Sequence, residues 1–217
     1  MLPALAQAVD CNAYMPSETG TVMEQTMYNK KGKALGKNVM ELVLVEQKDK
    51  ETHFKVHQKS LDKKGNITFE TDLGYKCVDD IFYVDMSSFM SGEAMGAYGE
   101  MDLTVTMDEI DIPVNAQPGQ MLKDGNLQMK IGGMPMNMTI KVDVINRKVE
   151  AVESITTPAG TFDCVKISQD VVTKMMMTVK AHSVDWYAKG VGVVRTESYN
   201  KKGKLTGYTE LTRLEKP

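Results

Sequence analysis

Two stretches decide the fold: SITTPAGTFDCVKI at residues 154–167 and VDWYAKGVGVVRTESYNKKGKLTGYTEL at residues 184–211. In the first, Pro158 and Gly160 occupy the second and fourth positions of a four-residue turn, which suits a type I turn. The chain then enters an apolar strand. The second stretch contains a glycine-spaced strand, a lysine-rich turn and a closing strand. Both stretches therefore predict strands that reverse on tight turns.

Alternation with a period of two extends over most of the chain. The side chains of residues 101–107 alternate between apolar and polar, which indicates a strand with one solvated face. No long amphipathic helix is visible; residues 87–98 could form one short helix, which Gly92 and Gly96 weaken. No turn residue marks a reversal between residues 172 and 184, and a turn near Lys174 would balance the strand lengths. We predict an all-β, antiparallel, single-domain fold.

Three turns share one chemistry. Residues 29–32 and 200–203 both read NKKG, and residues 62–65 read DKKG. Asn or Asp in the first position and Gly in the last are typical of hairpin turns. If the first strands form a meander, the first two lysine turns lie at the same end of the sheet. Their lysines either solvate the turns or form a basic rim facing anionic headgroups or glycans.

Composition limits the classes of function. The 217 residues fit one domain. With 29 acidic and 26 basic residues, the net charge of -3 argues against a nucleic-acid partner. No apolar run is long enough to span a membrane. The 18 methionines lead us to expect thioethers in much of the core.

The amino-terminal residues indicate export. Residues 1–8 read MLPALAQA and end on Ala6-Gln7-Ala8, which fits the small-x-small pattern of a signal-peptidase site. We interpret residues 1–8 as the remnant of an export signal and residues 9–217 as one β-rich domain in the periplasm or at the cell surface. A frayed apolar terminus is the alternative.

The three cysteines fit an oxidising compartment. An odd number suggests one disulfide and one buried thiol. Cys164 lies within an apolar strand and is expected to be the buried thiol. Cys11 and Cys77 are then the candidate disulfide pair.

The sequence offers little for catalysis or metal binding. His53 and His57 are four residues apart, but in a strand that spacing separates them by about 13 Å. A hydrolase would require His182 to meet a carboxylate and a hydroxyl in one cleft. No GxSxG or phosphate-binding loop is present. We therefore predict neither an enzyme nor a cofactor.

Methionine thioethers are the one candidate for a metal. Residues 134–138 and 175–177 could offer soft ligands to Cu(I). Copper is the weaker interpretation, because Met134, Met136, Met138 and Ile140 share one parity and form an apolar face that needs filling anyway.

The segments TPAGTFDCVKI (157–167), WYAKGVGVV (186–194) and ESYNKKGKLTGYTEL (197–211) resemble the TapB-like family of exported bacterial envelope proteins and its relatives of unknown function. TMYNKKGKALG (26–36) and IPVNAQPGQML (112–122) are similar to the same group. The resemblance implies an exported protein with a strongly curved antiparallel sheet or incomplete β-barrel. Lipoprotein carriers of related shape hold acyl chains in a half-barrel, but a shared fold does not fix function.

Our functional hypothesis is a non-enzymatic protein that binds an apolar or lipid-like ligand inside the curved sheet. Met136, Met138, Ile140 and Trp186 are the predicted wall, because flexible thioethers adapt to varied apolar ligands. The alternative is a structural or assembly partner of another envelope component. The interior distinguishes them, since an open cavity above about 300 Å³ favours a ligand site and a filled core favours a scaffold.

Overall fold

The computed structural model describes residues 14–85, 102–132 and 138–217, and these ranges contain thirteen strands and no helix. The all-β class is confirmed; the helix considered at residues 87–98 and the export-signal remnant at residues 1–8 lie outside the described residues. The strands are β1 (Val22–Asn29), β2 (Ala34–Lys48), β3 (Glu51–Asp62), β4 (Ile67–Val78), β5 (Ile81–Asp85), β6 (Asp102–Met107), β7 (Asp111–Pro113), β8 (Gly125–Gly132), β9 (Met138–Thr157), β10 (Gly160–Lys174), β11 (Thr178–Ala188), β12 (Gly192–Asn200) and β13 (Leu205–Glu215).

All of these strands belong to one antiparallel sheet. Their order is β6-β8-β9-β10-β11-β12-β13-β1-β2-β3-β4-β5-β7. Most neighbouring strands are joined by a tight turn and form hairpins, as the sequence predicts. The exception in the middle is β13 with β1, which pair from Val22 with Glu215 to Asn29 with Gly207. This pairing joins the amino-terminal meander to the carboxyl-terminal one.

The sheet must curl, because its two edge strands are neighbours in sequence. β6 and β7 lie at opposite edges, and only residues 108–110 connect them. Four Cα steps span at most about 14 Å, so the edges have to approach each other. Backbone hydrogen bonds continue through the connection: Asp108 N–H donates to the Asn126 carbonyl (2.9 Å), and Val84 N–H donates to the Ile110 carbonyl (3.2 Å). The expected strongly curved sheet, an incomplete barrel, is confirmed.

An irregular segment, residues 114–124, then lies along β9. Gly119 N–H donates to the Val149 carbonyl (2.7 Å), and Val149 N–H donates to the Gln120 carbonyl (2.9 Å). Leu122 N–H donates to the Arg147 carbonyl (2.9 Å). These bonds satisfy backbone groups that would otherwise be buried without partners. We call residues 108–124, which comprise the connection from β6, the short strand β7 and this irregular segment, the crossing segment.

The turns form where the sequence indicates them. The TPAG turn joins β9 to β10, and the reversal that no residue marks occurs at residues 175–177, beside Lys174. In the lysine turns the first side chain caps the loop. Asn29 Oδ1 accepts from Lys31 N–H (2.9 Å), and Asn200 Oδ1 accepts from Lys202 N–H (2.9 Å). The two NKKG copies therefore share one hydrogen-bonding solution.

Two groups of buried apolar residues form the core. The larger includes Leu42, Phe54, Val149 and Val165, and the smaller includes Cys164, Trp186, Val194 and Leu211. Cys164 and Val165 are consecutive residues of a strand but belong to different groups, so the groups lie on opposite faces of β10.

The expectation that thioethers fill much of the core is wrong for the described residues. Met15 and Met23 are buried, and Met40 packs against both core groups. A larger set of methionines is exposed, namely Met121, Met138, Met175, Met176 and Met177. Aromatic and branched aliphatic side chains supply most of the buried apolar volume instead.

Candidate functional site

The interior of the curled sheet contains a cavity of about 290 Å³. Its wall is formed mainly by β1 to β5 and by the β11–β12 hairpin, and residues preceding β1 enter it. Apolar and aromatic side chains dominate, among them Met23, Met40 and Phe82. Gln25 and Gln58 are the amides in the wall, and the described lining contains no charged side chain. We call this space the interior cavity.

Aromatic rings fix one side of the interior cavity. Tyr14 meets Phe82 edge-on, with ring centroids 5.9 Å apart, and meets Tyr187 edge-on at 5.7 Å. Tyr75 stacks on Phe82 at 5.6 Å. Burial raises the pKa of Tyr14 and of Tyr75 to about 12, so both phenols are neutral at physiological pH. The wall is therefore preformed and uncharged.

A buried polar network links the crossing segment to the sheet. Arg147, on β9, is 1% exposed. Its guanidinium donates to the Lys123 carbonyl (2.7 Å), the Asp111 carbonyl (2.9 Å) and Gln169 Oε1 (3.3 Å). An Asp111 carboxylate oxygen lies 3.5 Å from the guanidinium. Desolvation lowers the pKa of Arg147, but an arginine remains protonated in proteins.

Asp185 continues this network on β11. Its carboxylate accepts from Thr196 Oγ1 (2.7 Å), Gln169 Nε2 (2.9 Å) and Ser183 Oγ (3.1 Å). Burial raises the pKa of Asp185 in spite of these bonds. Sequence reasoning missed this network; the one available signal was that Arg147 shares parity with the buried Val149.

A second depression, of about 570 Å³, lies on the sheet beside β10, β11 and β12. His182 Nδ1 is 2.9 Å from Asp170 Oδ1, and Asn146 Nδ2 donates to Asp170 Oδ2 (2.9 Å). These two partners, Asn146 first, lower the pKa of Asp170. Tyr199 supplies the one hydroxyl of the described lining and donates it to Glu197. His182 thus meets a carboxylate, but not a free hydroxyl.

Of the four predicted wall residues, the three that the structure describes do not meet in the interior cavity. Met138 is exposed at the start of β9, Ile140 is half-buried on the same strand, and Met136 lies outside the described residues. Trp186 is 6% exposed within the smaller core group. None of these three described residues lines the interior cavity.

Trp186 instead lies on the other face of β11, where polar and charged side chains contact its indole. Its indole N–H donates to Glu153 Oε1 (2.8 Å). Lys166 Nζ lies 4.9 Å from the ring centre, and the Arg195 guanidinium carbon lies 5.9 Å from it. The Trp186 hydrogen bond is the main cause of a lowered Glu153 pKa. The residue is consistent with a packed sheet surface rather than a ligand wall.

Of the two described cysteines, one is disulfide-bonded and the other has a free thiol. Cys77 is buried on β4 and disulfide-bonded, whereas Cys164 is free and buried. Burial raises the pKa of Cys164 to about 12, so its thiol is unreactive. Cys11 lies outside the described residues, and its pairing with Cys77 stays a prediction.

The described ranges contain neither a cluster of metal ligands nor a membrane-spanning helix. Residues 14–85, 102–132 and 138–217 contain no group of three or more His, Cys, Asp or Glu that could hold a metal ion. Over the same ranges, no helix is long and apolar enough to cross a bilayer.

His57 is instead part of an ion-pair cluster on β3 and β4. Its Nδ1 lies 2.8 Å from Asp72 Oδ1 and its Nε2 lies 2.8 Å from Glu70 Oε1. Only the imidazolium can donate from both nitrogens. The Asp72 and Glu70 hydrogen bonds, Asp72 first, raise the pKa of His57.

This arrangement predicts a pH-dependent stability difference between wild type and His57→Gln. Because the folded pKa is raised, the His57 contribution is complete below its unfolded pKa of about 6.5 and is lost as pH rises through the folded pKa. Thermal unfolding midpoints measured from pH 5.5 to 9 should show a difference that shrinks with rising pH. A difference independent of pH would contradict the assignment.

The comparisons with known proteins agree with this architecture. A crystal structure of a Bacteroides fragilis protein, described as exported and of YmcC-like fold, has a TM-score of 0.76 and 23% identity; the match covers 94% of this chain and 99% of that one. A Parabacteroides distasonis protein described as a lipoprotein has a TM-score of 0.79 and 25% identity, with coverage of 95% and 100%. No curated protein matches.

Both descriptions agree with the export that the sequence predicts. The profile of the DUF3108-like family matches residues 18–211, which extend from just before β1 into β13. This match covers nearly all of the described sheet, and the chain belongs to the DUF3108-like family.

Proposed function

We propose that the protein is a non-enzymatic carrier or sensor that binds a neutral, lipid-like ligand in the interior cavity. The observation that carries the proposal is the cavity itself. Its volume of about 290 Å³ falls just below the usual range for small-molecule sites, about 300–1,000 Å³, so it suits a small or slender ligand. Buried side chains of the larger core group, such as Val56 and Phe82, form part of its wall, so the curled sheet encloses this space beside packed core.

The chemistry of the wall selects the ligand class. Met23 and Met40 face each other across the β1–β2 pairing and supply flexible thioethers that adapt to apolar groups. The described lining offers no counter-charge, so burial of a charged ligand there would be costly. Gln25 and Gln58 can hydrogen-bond one polar end group. A single acyl chain or a similar neutral amphiphile fits these conditions.

The ligand hypothesis predicts that an apolar fluorescent probe, N-phenyl-1-naphthylamine, binds saturably with one site per chain. Met40→Trp should lower its affinity at least about tenfold, because the larger ring occupies the interior cavity. Met176→Trp is the matched control, since Met176 is 91% exposed and remote from the cavity wall. Circular dichroism of both variants checks that the sheet is folded.

Native mass spectrometry and organic extraction of the purified protein provide the second measurement. We expect a co-purifying neutral lipid in wild type and its loss in Met40→Trp. Protein that purifies empty and shows no saturable probe binding would overturn the proposal. Probe binding that is as strong in Met40→Trp as in Met176→Trp and wild type would show that the probe binds outside the interior cavity.

The second candidate is an assembly partner of another envelope component. It is favoured by exposed apolar strand residues such as Leu44 and Val152. Crosslinking in native cells would distinguish it, because a carrier is expected to be mostly solitary. The finer resemblance to the TapB-like proteins, carried by residues 157–167, 186–194 and 197–211, adds neither a ligand nor a partner to this choice.

A further inference from the structure

The three lysine turns lie at one end of the sheet and are close in space. β1 ends, and β13 begins, at the same end, because Asn29 pairs with Gly207. The β1–β2 and β12–β13 turns are therefore adjacent, and a shared depression of about 410 Å³ is lined by Lys30, Lys31 and Lys204. In the meander from β1 to β4, the β3–β4 turn returns to this end too.

The methionine turn, residues 175–177, joins the same end. β11 begins beside the end of β12, since Ala181 pairs with Asn200. The β10–β11 reversal is thus next to the β12–β13 lysine turn. We call this end of the sheet, with its four turns, the lysine-methionine rim.

The rim is strongly basic. Its turns contain eight exposed lysines: Lys30, Lys31, Lys33, Lys63, Lys64, Lys201, Lys202 and Lys204. Within the described residues, ion pairs involve lysines elsewhere, such as Lys37 with Glu24, but none of these eight. Their charges are directed to solvent.

The turns at the opposite end of the sheet contain fewer lysines and more acidic residues. Its turns contain Asp49-Lys50, Asp79-Asp80 and Lys189-Gly190. Positive charge is therefore concentrated at one end of a chain whose net charge is -3. Protection of sheet edges does not explain this, because the edges are β6 and β7 and the lysines lie on hairpins between interior strands.

Apolar side chains project from the same rim. Met176 and Met177 are 91% and 78% exposed, and Met175 is exposed beside them. Other exposed apolar residues are close to the turns, namely Leu35, Ile67, Phe69 and Val179. Turn lysines alone would need no such neighbours. Cations beside protruding apolar groups are the pattern of proteins that lie on a bilayer surface.

We propose that the lysine-methionine rim docks on the surface of an anionic phospholipid bilayer. The lysines contact lipid phosphates, and Met175–Met177 enter the interfacial layer. Charge complementarity selects this partner over a neutral surface, and the exposed methionines select a lipid layer over a purely hydrophilic polyanion. The inference rests on the outer end of the sheet and is independent of any ligand in the interior cavity.

Vesicle co-sedimentation tests the docking surface. The full chain should bind vesicles of phosphatidylglycerol and phosphatidylethanolamine, should bind phosphatidylcholine vesicles at least about tenfold more weakly, and should be released by salt. Lys30→Glu/Lys201→Glu should lower binding at least about tenfold. Lys50→Glu/Lys189→Glu, at the opposite end, makes the same change in net charge and should leave binding within about twofold.

The methionines are tested separately. Replacement of Met175, Met176 and Met177 by glutamine should weaken vesicle binding several-fold while the salt dependence remains, because only the apolar contribution is removed. Circular dichroism and probe binding in the interior cavity should be unchanged in every variant.

Three results would overturn the proposal. Equal losses in the two double lysine variants would show an effect of net charge alone. Unchanged binding in the glutamine variant would show that Met175–Met177 do not enter the lipid layer. Binding to a soluble acidic polysaccharide such as alginate, without binding to vesicles, would identify a glycan-facing surface instead.

Discussion

Arg147→Met is expected to lower the free energy of unfolding by about 3–5 kcal/mol, which is the usual cost of removing one partner of a buried charge network. The methionine fills a similar volume but donates no hydrogen bond. The Asp111 and Lys123 carbonyls would lose their guanidinium donor. Burial raises the pKa of Asp185, and its carboxylate would lose the buried cation that partly offsets this effect. The crossing segment would then be attached to β9 mainly by its backbone hydrogen bonds.

Urea unfolding followed by circular dichroism measures this effect, with Arg213→Met as the matched control. Arg213 is a surface arginine with a side chain 47% exposed, and it pairs with Glu24 and Glu215. Pairs at exposed side chains contribute about 0–1 kcal/mol, and the buried Glu24 keeps Lys37 as a partner, so the control should lose little. Similar losses in the two variants would show that burial of Arg147 does not determine its contribution.

Arg147→Lys refines the interpretation. Lysine keeps the positive charge but lacks the planar fork that reaches two carbonyls and Gln169 at once. We expect a loss between those of wild type and Arg147→Met. A loss as large as that of the methionine variant would assign the effect to hydrogen-bond geometry rather than to charge.

Trp186→Ala is expected to cost a similar amount, about 3–5 kcal/mol, as is usual for a buried aromatic residue replaced by alanine. The indole is packed in the smaller core group and donates to Glu153. Its removal leaves a cavity and frees a carboxylate whose pKa the indole lowers. Because Trp186 is the chain's one tryptophan, unfolding has to be followed by circular dichroism rather than by fluorescence.

Phe69→Ala is the control for this prediction, because Phe69 is an exposed aromatic residue of β4. We expect its free energy of unfolding to stay within about 0.5 kcal/mol of wild type. Trp186→Phe keeps most of the apolar area and loses the indole donor, so it should cost less than the alanine variant. If both Trp186 variants unfolded like Phe69→Ala, the packing of the smaller core group would be misassigned.

The candidate site was only partly accessible from the sequence. Alternation from Met134 to Ile140 pointed to one face of a strand for the ligand wall; of its apolar positions the structure describes Met138 and Ile140, both on β9. The interior cavity is lined mainly by β1 to β5, β11 and β12. Parity shows which residues of one strand share a face. It does not show which face becomes concave, because that depends on how thirteen strands curl together.

The local structure follows from residues that are close together in the chain. The repeated NKKG turns, the TPAG turn and the period-two alternation specify hairpins, because turn geometry and side-chain direction depend on residues close in the chain. Three features were not accessible from the sequence: the edge strands β6 and β7 approach each other, Arg147 is buried under the crossing segment, and Met175–Met177 stand beside the lysine turns. Each of these depends on residues distant in sequence, whose proximity is fixed only when the whole sheet pairs and curls.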